Sequence, residues 1–308
     1  MSSQDLSNQE EKSSFQLYII CIFVGITIIL IELRIFLSFF EISAWMQATK
    51  DIDFYILLEG MDNGLINFYN DVIISDWPPY YLYFWYFIFY PIYLIPPVIG
   101  VYVWDILRLV LVIFIIRDSP KVFKNRKDLL IFYVLSMIGY TIDGYYNNVN
   151  FLIAFFLFYS FVFLERDKKW ISGILFTLST FKITAILFLP VLLIIKKIKW
   201  KDLIYYLTPL IILCIPYIIF PDYFWQMVGN WLHREETVQG LLGDFDSIMW
   251  KALQPSHLMF IALLLIIFLE NIKREDRRNL YRIILVSIIT VYYIYLTTIV
   301  FIIPVVLG

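Results

Sequence analysis

Long apolar runs separated by short polar clusters dominate this chain from Phe15 onward. Runs of about 15 to 20 apolar residues are the length a helix needs to cross a hydrocarbon core of about 30 Å. The pattern predicts nine spans, at about 15–38, 98–116, 129–142, 149–165, 170–182, 184–196, 203–220, 255–270 and 280–298. One further run, "PPYYLYFWYFIFYPIYLIPP", is of another kind. Ten of the 16 residues from Tyr80 to Ile95 are aromatic, and prolines at 78, 79, 91, 96 and 97 interrupt it. Tyr and Trp favour the membrane–water interface, where the ring is buried and the polar tip stays wet. Segment 80–96 is therefore predicted to lie in, or dip into, the outer leaflet without crossing. The first span follows the acidic head "QDLSNQEEK" and has no small-residue cleavage site, so it is expected to be retained.

Composition agrees with this pattern. The chain of 308 residues is 61% hydrophobic, 19% aromatic and only 16% charged, whereas soluble chains carry about 25% charged residues. The fold class expected is an all-α polytopic membrane protein, with long extracytoplasmic segments at about 39–97 and 221–254. Cys21 and Cys214 lie singly inside apolar runs, which excludes a disulfide framework or zinc spacing and predicts two buried thiols. Nothing points to nucleic acid.

Charge placement orients the chain. The clusters at 117–127, 166–169, 196–201 and 273–282, with Lys12, hold 18 of the 24 Lys and Arg residues. The positive-inside rule makes these loops cytoplasmic. The opposite loops hold Glu41, Asp51, Asp53, Glu59, Asp62, Asp71, Asp76, Asp143, Asp222, Glu235, Glu236, Asp244 and Asp246 against only Lys50, Arg234 and Lys251.

Four polar groups at the outer ends are candidates for chemistry. Asp51 and Asp53 follow the first span; they are either solvated loop acids or carboxylates made basic by the aromatic wall behind them. "GYYNNVN" places Asn147, Asn148 and Asn150 at the mouth of a span, as a turn with Asn148 as helix cap or as hydrogen-bonding amides. Lys182 in "STFKITA" is an intramembrane cation, either snorkelling to the outer headgroups or binding a ligand. His233 and Arg234 form a phosphate clamp or a turn paired with Glu235 and Glu236. Asp105 and Arg108, at i and i+3 within a span, are expected to pair with each other in a structural role. His257 has no partner in sequence.

Taken in order, these stations resemble the GT-C-fold glycosyltransferases that use polyprenyl-phosphate sugars, and most nearly the polyprenol-phosphate-mannose-dependent mannosyltransferases. "DIDFY" resembles the family's D-x-x-x-Y, with Asp51 and Tyr55 in its positions. "DWPPYYLYFW" is similar to its Y-P-P-hydrophobic segment. "NNVNFLIAFF" is similar to G-[Q/N]-V-N, with Asn148 and Asn150 at the polar positions and Asn147 in place of the glycine. "WISGILFTLSTFKITAILFLPVLLI" resembles its W…G…K…LP…LL pattern, and "FDSIMWKAL" loosely resembles an N-x-S segment.

The resemblance implies a GT-C-like catalytic module over 1–254 and a short transmembrane part over 255–308. It implies inverting transfer of a sugar, mannose, from a polyprenyl-phosphate donor to a glycolipid or glycan acceptor on the extracytoplasmic face of the cell membrane. No cofactor or metal is implied. Asp51 would be the base, and Asp53, Tyr55, Asn148, Asn150, Lys182, His233 and Arg234 would bind substrate. The alternative from another class, a small transporter or channel, predicts polar residues spread through span interiors, often in repeated halves. Here the spans are nearly bare and the polar groups gather at their outer ends.

Overall fold

A computed structural model of the chain describes residues 3–40, 50–70, 79–123, 126–180, 185–186, 189, 192–193 and 197–230. Every regular element among them is helical: α1 (Ser3–Phe39), α2 (Ile52–Asp62), α3 (Trp85–Tyr93), α4 (Pro97–Val122), α5 (Arg126–Tyr146), α6 (Asn150–Glu165), α7 (Lys169–Ser179), α8 (Leu203–Leu213) and α9 (Ile215–Ile219). A helical stretch over 221–230 follows. Of the predicted spans, 255–270 and 280–298, and most of 184–196, lie outside the described residues.

Ser14–Phe39 of α1 and the whole of α4 are apolar helices of 26 residues each. At 1.5 Å per residue each is about 39 Å long, enough to cross a bilayer. Pro97 starts α4 at a position where its missing N–H costs nothing. The predicted span 203–220 is broken at Cys214 into α8 and α9, with Pro216 opening the second. Cys214 is half-buried and packs against the core, whereas Cys21 is exposed on α1, so the expectation of two buried thiols fails for Cys21.

Helices α1 and α4 run antiparallel: Gln16 Nε2 donates to the Ile116 carbonyl at 3.0 Å, and Arg34 reaches Asp105 at the other end. Helix α5 lies along α1, where Thr27 Oγ1 meets Tyr140 Oη at 2.6 Å. Two helix ends share one device. Asn147 after α5 and Asp167 after α6 are both left-handed, with φ of 56°. The next residue's N–H returns to a carbonyl five residues back, Asn148 to Asp143 at 3.0 Å and Lys168 to Phe163 at 2.9 Å. This six-to-one bond satisfies the helix's last carbonyls and needs a side chain that tolerates positive φ, which Asn and Asp do.

Helix α3, at nine residues, is about 13.5 Å long and too short to cross. Trp85 and Phe89 are fully buried and meet Phe54 of α2 and Trp104 of α4, forming a block of rings that holds the short helices on the bundle. The loop before α3 is clasped from the far end of the described chain. Tyr69 Oη donates to the Tyr81 carbonyl at 2.7 Å and lies 2.5 Å from Tyr217 Oη, which accepts the Tyr83 N–H at 2.6 Å. Asn230 Nδ2 donates to the carbonyls of Tyr69 and Pro79, both at 2.8 Å.

Candidate active site

The last two turns of α1, the start of α2, the first half of α4 and the last turn of α5 converge on one buried group of charges. Asp51 is its centre. It precedes α2 in a left-handed conformation (φ 64°), and its N–H donates to the Tyr145 carbonyl at 3.0 Å, joining the start of α2 to the end of α5. Arg34 grips its carboxylate as a fork, Nε to Oδ2 at 2.6 Å and Nη2 to Oδ1 at 3.0 Å. Oδ1 also accepts from Lys50 Nζ and from Asn147 Nδ2 at 2.7 Å. The carboxylate is 2% exposed.

The group continues inward. Arg34 Nη1 lies 2.7 Å from Asp105 Oδ2, whose Oδ1 accepts from Arg108 Nη2 at 2.6 Å. Arg108 Nη2 also donates to Asn147 Oδ1, and its Nε is 3.8 Å from Asp143. Three cations thus face three carboxylates. Burying a charge is tolerable only when it is paired and hydrogen-bonded, and one glycine makes room for the pairing. A Cβ on Gly144 would collide with the Arg108 guanidinium and with Leu30. The Trp104 indole donates to the Asn147 carbonyl at 3.2 Å and closes the apolar side. Burial pushes the Lys50 ammonium down to about 8, against the opposing pull of Asp51.

Asp53, in the first turn of α2, accepts from Asn148 Nδ2, so the acidic pair and the asparagine turn lie together. Asp53 is 8% exposed. Tyr55 stands two residues further along α2, with its phenol only partly exposed and raised above its usual value by burial and then by the charge of Asp51. Asn150 is the first residue of α6 and is buried. Asn148 is not the cap of α6; Val149 holds that place, and Asn148 Oδ1 accepts the Val149 N–H at 2.7 Å. Lys182, His233 and Arg234 lie outside the described residues.

Sequence reasoning missed Arg34 and Lys50, named Asn147 only as one of the turn amides, and set Asp105 and Arg108 apart as structural. That last pair does form, but it touches the site through both Arg34 and Asn147. The available signal was an arginine inside the first span, which is expensive unless it has a purpose. Among the described residues no group of three or more His, Cys, Asp or Glu is placed to hold a metal ion. The same end of α1 carries an exposed, mostly apolar strip that includes Ile29, Phe36 and Phe39, with the carboxylate of Glu32 beside it.

Residues 80–302 match the family model of glycosyltransferase family 87. No curated protein and no solved structure matches the chain.

Proposed function

Because the chain belongs to glycosyltransferase family 87, we propose that it moves a sugar, mannose, from a polyprenyl-phosphate donor to a glycan or glycolipid acceptor on the extracytoplasmic face of a membrane that it crosses several times. The observation that carries this reading is the convergence of Asp51, Asp53 and the asparagine turn at one end of the helices.

In this mechanism Asp51 takes the acceptor hydroxyl proton as that oxygen attacks the anomeric carbon. The new carbon–oxygen bond forms as the bond to the phosphate oxygen breaks on the opposite face, so the configuration inverts. Polyprenyl phosphate leaves with the bonding electrons, and cations must stabilise its growing charge. Lys182, His233 and Arg234 are assigned that role. Asp53, Tyr55, Asn148 and Asn150 would bind sugar hydroxyls.

A second reading exchanges the two acids. Asp51 accepts from three different residues and Asp53, among the hydrogen bonds given above, from one, which suits Asp51 as the ionic anchor and Asp53 as the base. Membranes with and without the protein, given radiolabelled polyprenyl-phosphate sugars and a cell lipid extract, test the activity. Transfer from nucleotide sugars alone would overturn the donor assignment. General-base catalysis contributes about 10²–10⁴ in rate, so Asp51→Asn should lower turnover at least about a hundredfold with donor binding kept, and Asp53→Asn much less. The reverse order moves the base to Asp53, and full activity in both removes it from this site.

A further inference from the structure

We propose that Arg34 is the positioning residue for Asp51: clamped from behind by Asp105, it fixes the plane of the carboxylate and leaves Oδ2 as the oxygen that receives the acceptor proton. This rests on Asp51 being the base.

The geometry is a chain of carboxylate, guanidinium and carboxylate drawn from three helices. Arg34 gives one N–H to each oxygen of Asp51, the planar pairing that guanidinium makes best. Its third nitrogen is 2.7 Å from Asp105 on α4, and the ring of Tyr102, also on α4, covers the guanidinium at 4.9 Å. Behind the fork the contact with Asp105 is an ion pair without hydrogen-bond geometry, so charge attraction and the Tyr102 ring together hold the guanidinium in place. The two oxygens of Asp51 are loaded unequally. Oδ1 accepts from Arg34, Lys50 and Asn147, whereas Oδ2, among the described residues, accepts only from Arg34 Nε. A carboxylate oxygen offers about two acceptor sites, so Oδ2 keeps one for an incoming O–H. The proton lost by the acceptor therefore ends on Oδ2, beside a guanidinium that cannot accept it back.

Arg34→Lys keeps the positive charge but cannot bridge two carboxylates in a plane. Misplacing a reacting group by about 1 Å can cost about a hundredfold in rate, so kcat should fall roughly 10–100-fold while KM for radiolabelled polyprenyl-phosphate mannose stays unchanged. The loss should vanish in an Asp51→Asn background, because residues that act as one unit do not add. A residue that only supports the fold would lower the amount of active protein and add its effect in both backgrounds. Asp105→Asn removes the clamp behind Arg34 and should lower kcat at constant KM by a smaller factor. If Arg34→Lys does not accumulate in membranes, Asp105→Asn decides, and a wild-type kcat there overturns the proposal. A wild-type kcat in Arg34→Lys, a change in KM alone, or additive losses overturn it too. A dead Asp51→Asn beside a fully active Arg34→Lys removes the positioning role only. An active Asp51→Asn removes the base, and the positioning role with it.

Discussion

Raising the pH through the range where Lys50 titrates should stabilise this protein. Lys50 is 7% exposed, and burial brings its ammonium down to about 8 from the ordinary 10.5. Below about pH 8 the folded and unfolded chains are both protonated, and the cost of burying the charge is fully present. Between the two values the unfolded chain keeps a proton that the folded one has released. Stability therefore climbs with pH across that window. An interval of about 2.5 pH units corresponds to about 3 kcal/mol at the upper end. Lys50→Met preserves most of the apolar stem and cannot titrate. Thermal unfolding of both proteins in one detergent, over a series of pH values, gives the comparison, since carboxylates and tyrosines common to both cancel in the difference. At roughly 2–4 °C per kcal/mol, the midpoint of the parent should rise roughly 6–12 °C relative to the variant across the window. Curves that stay parallel would show that the Lys50 ammonium is not enclosed with Asp51, and the ionic group described above would lose one of its cations.

Gly173→Ala should be severe, because its Cβ would strike the Tyr205 carbonyl where α7 and α8 meet; a loss of about 3 kcal/mol, read from the unfolding midpoint, is expected of overpacking against backbone. Gly144→Ala meets only the ends of Arg108 and Leu30, so it should cost about 1–2 kcal/mol, with a lower transfer rate as Arg108 shifts off Asn147. Lys182→Met should weaken retention of polyprenyl-phosphate mannose in a binding assay while the protein inserts normally; unchanged affinity would assign Lys182 to anchoring at the interface.

Features with local causes were legible in the sequence. The i, i+3 spacing of Asp105 and Arg108 predicts their pairing, which forms at 2.6 Å. The crowding of aromatics and prolines in 80–96 predicts a segment that cannot cross, and its helix spans nine residues. Asn147 is more instructive. It stands where the resembled family has glycine, and the left-handed turn explains both choices, since glycine and asparagine tolerate positive φ best. What that substitution adds is an amide between Asp51 and Arg108, which no backbone argument anticipates. Arg34 was missed for a related reason. One arginine near the end of a long apolar run barely changes its average, and its meaning appears only when α2 and α4 bring Asp51 and Asp105 to it.

The tyrosine clasp has a consequence for the order in which the molecule is made. Arg34, Lys50, Asp51, Asp105, Arg108, Asp143, Asn147 and Asn148 all precede Asn150 in the chain, so the ionic group can be complete once α5 has formed. The loop that carries Tyr69 and Tyr83 waits for Tyr217, 148 residues after Tyr69. At synthesis rates of about 5–20 residues per second, roughly 4–14 s separate the emergence of Asn147 from that of Tyr217. For that interval the nascent protein has its acid centre assembled and the loop beside it unfastened. Contacts so distant in sequence form late because the intervening chain must first be ordered. A chain stopped before α9 would thus hold the residues of the ionic group and lack the Tyr217 contacts that fasten Tyr69 and Tyr83.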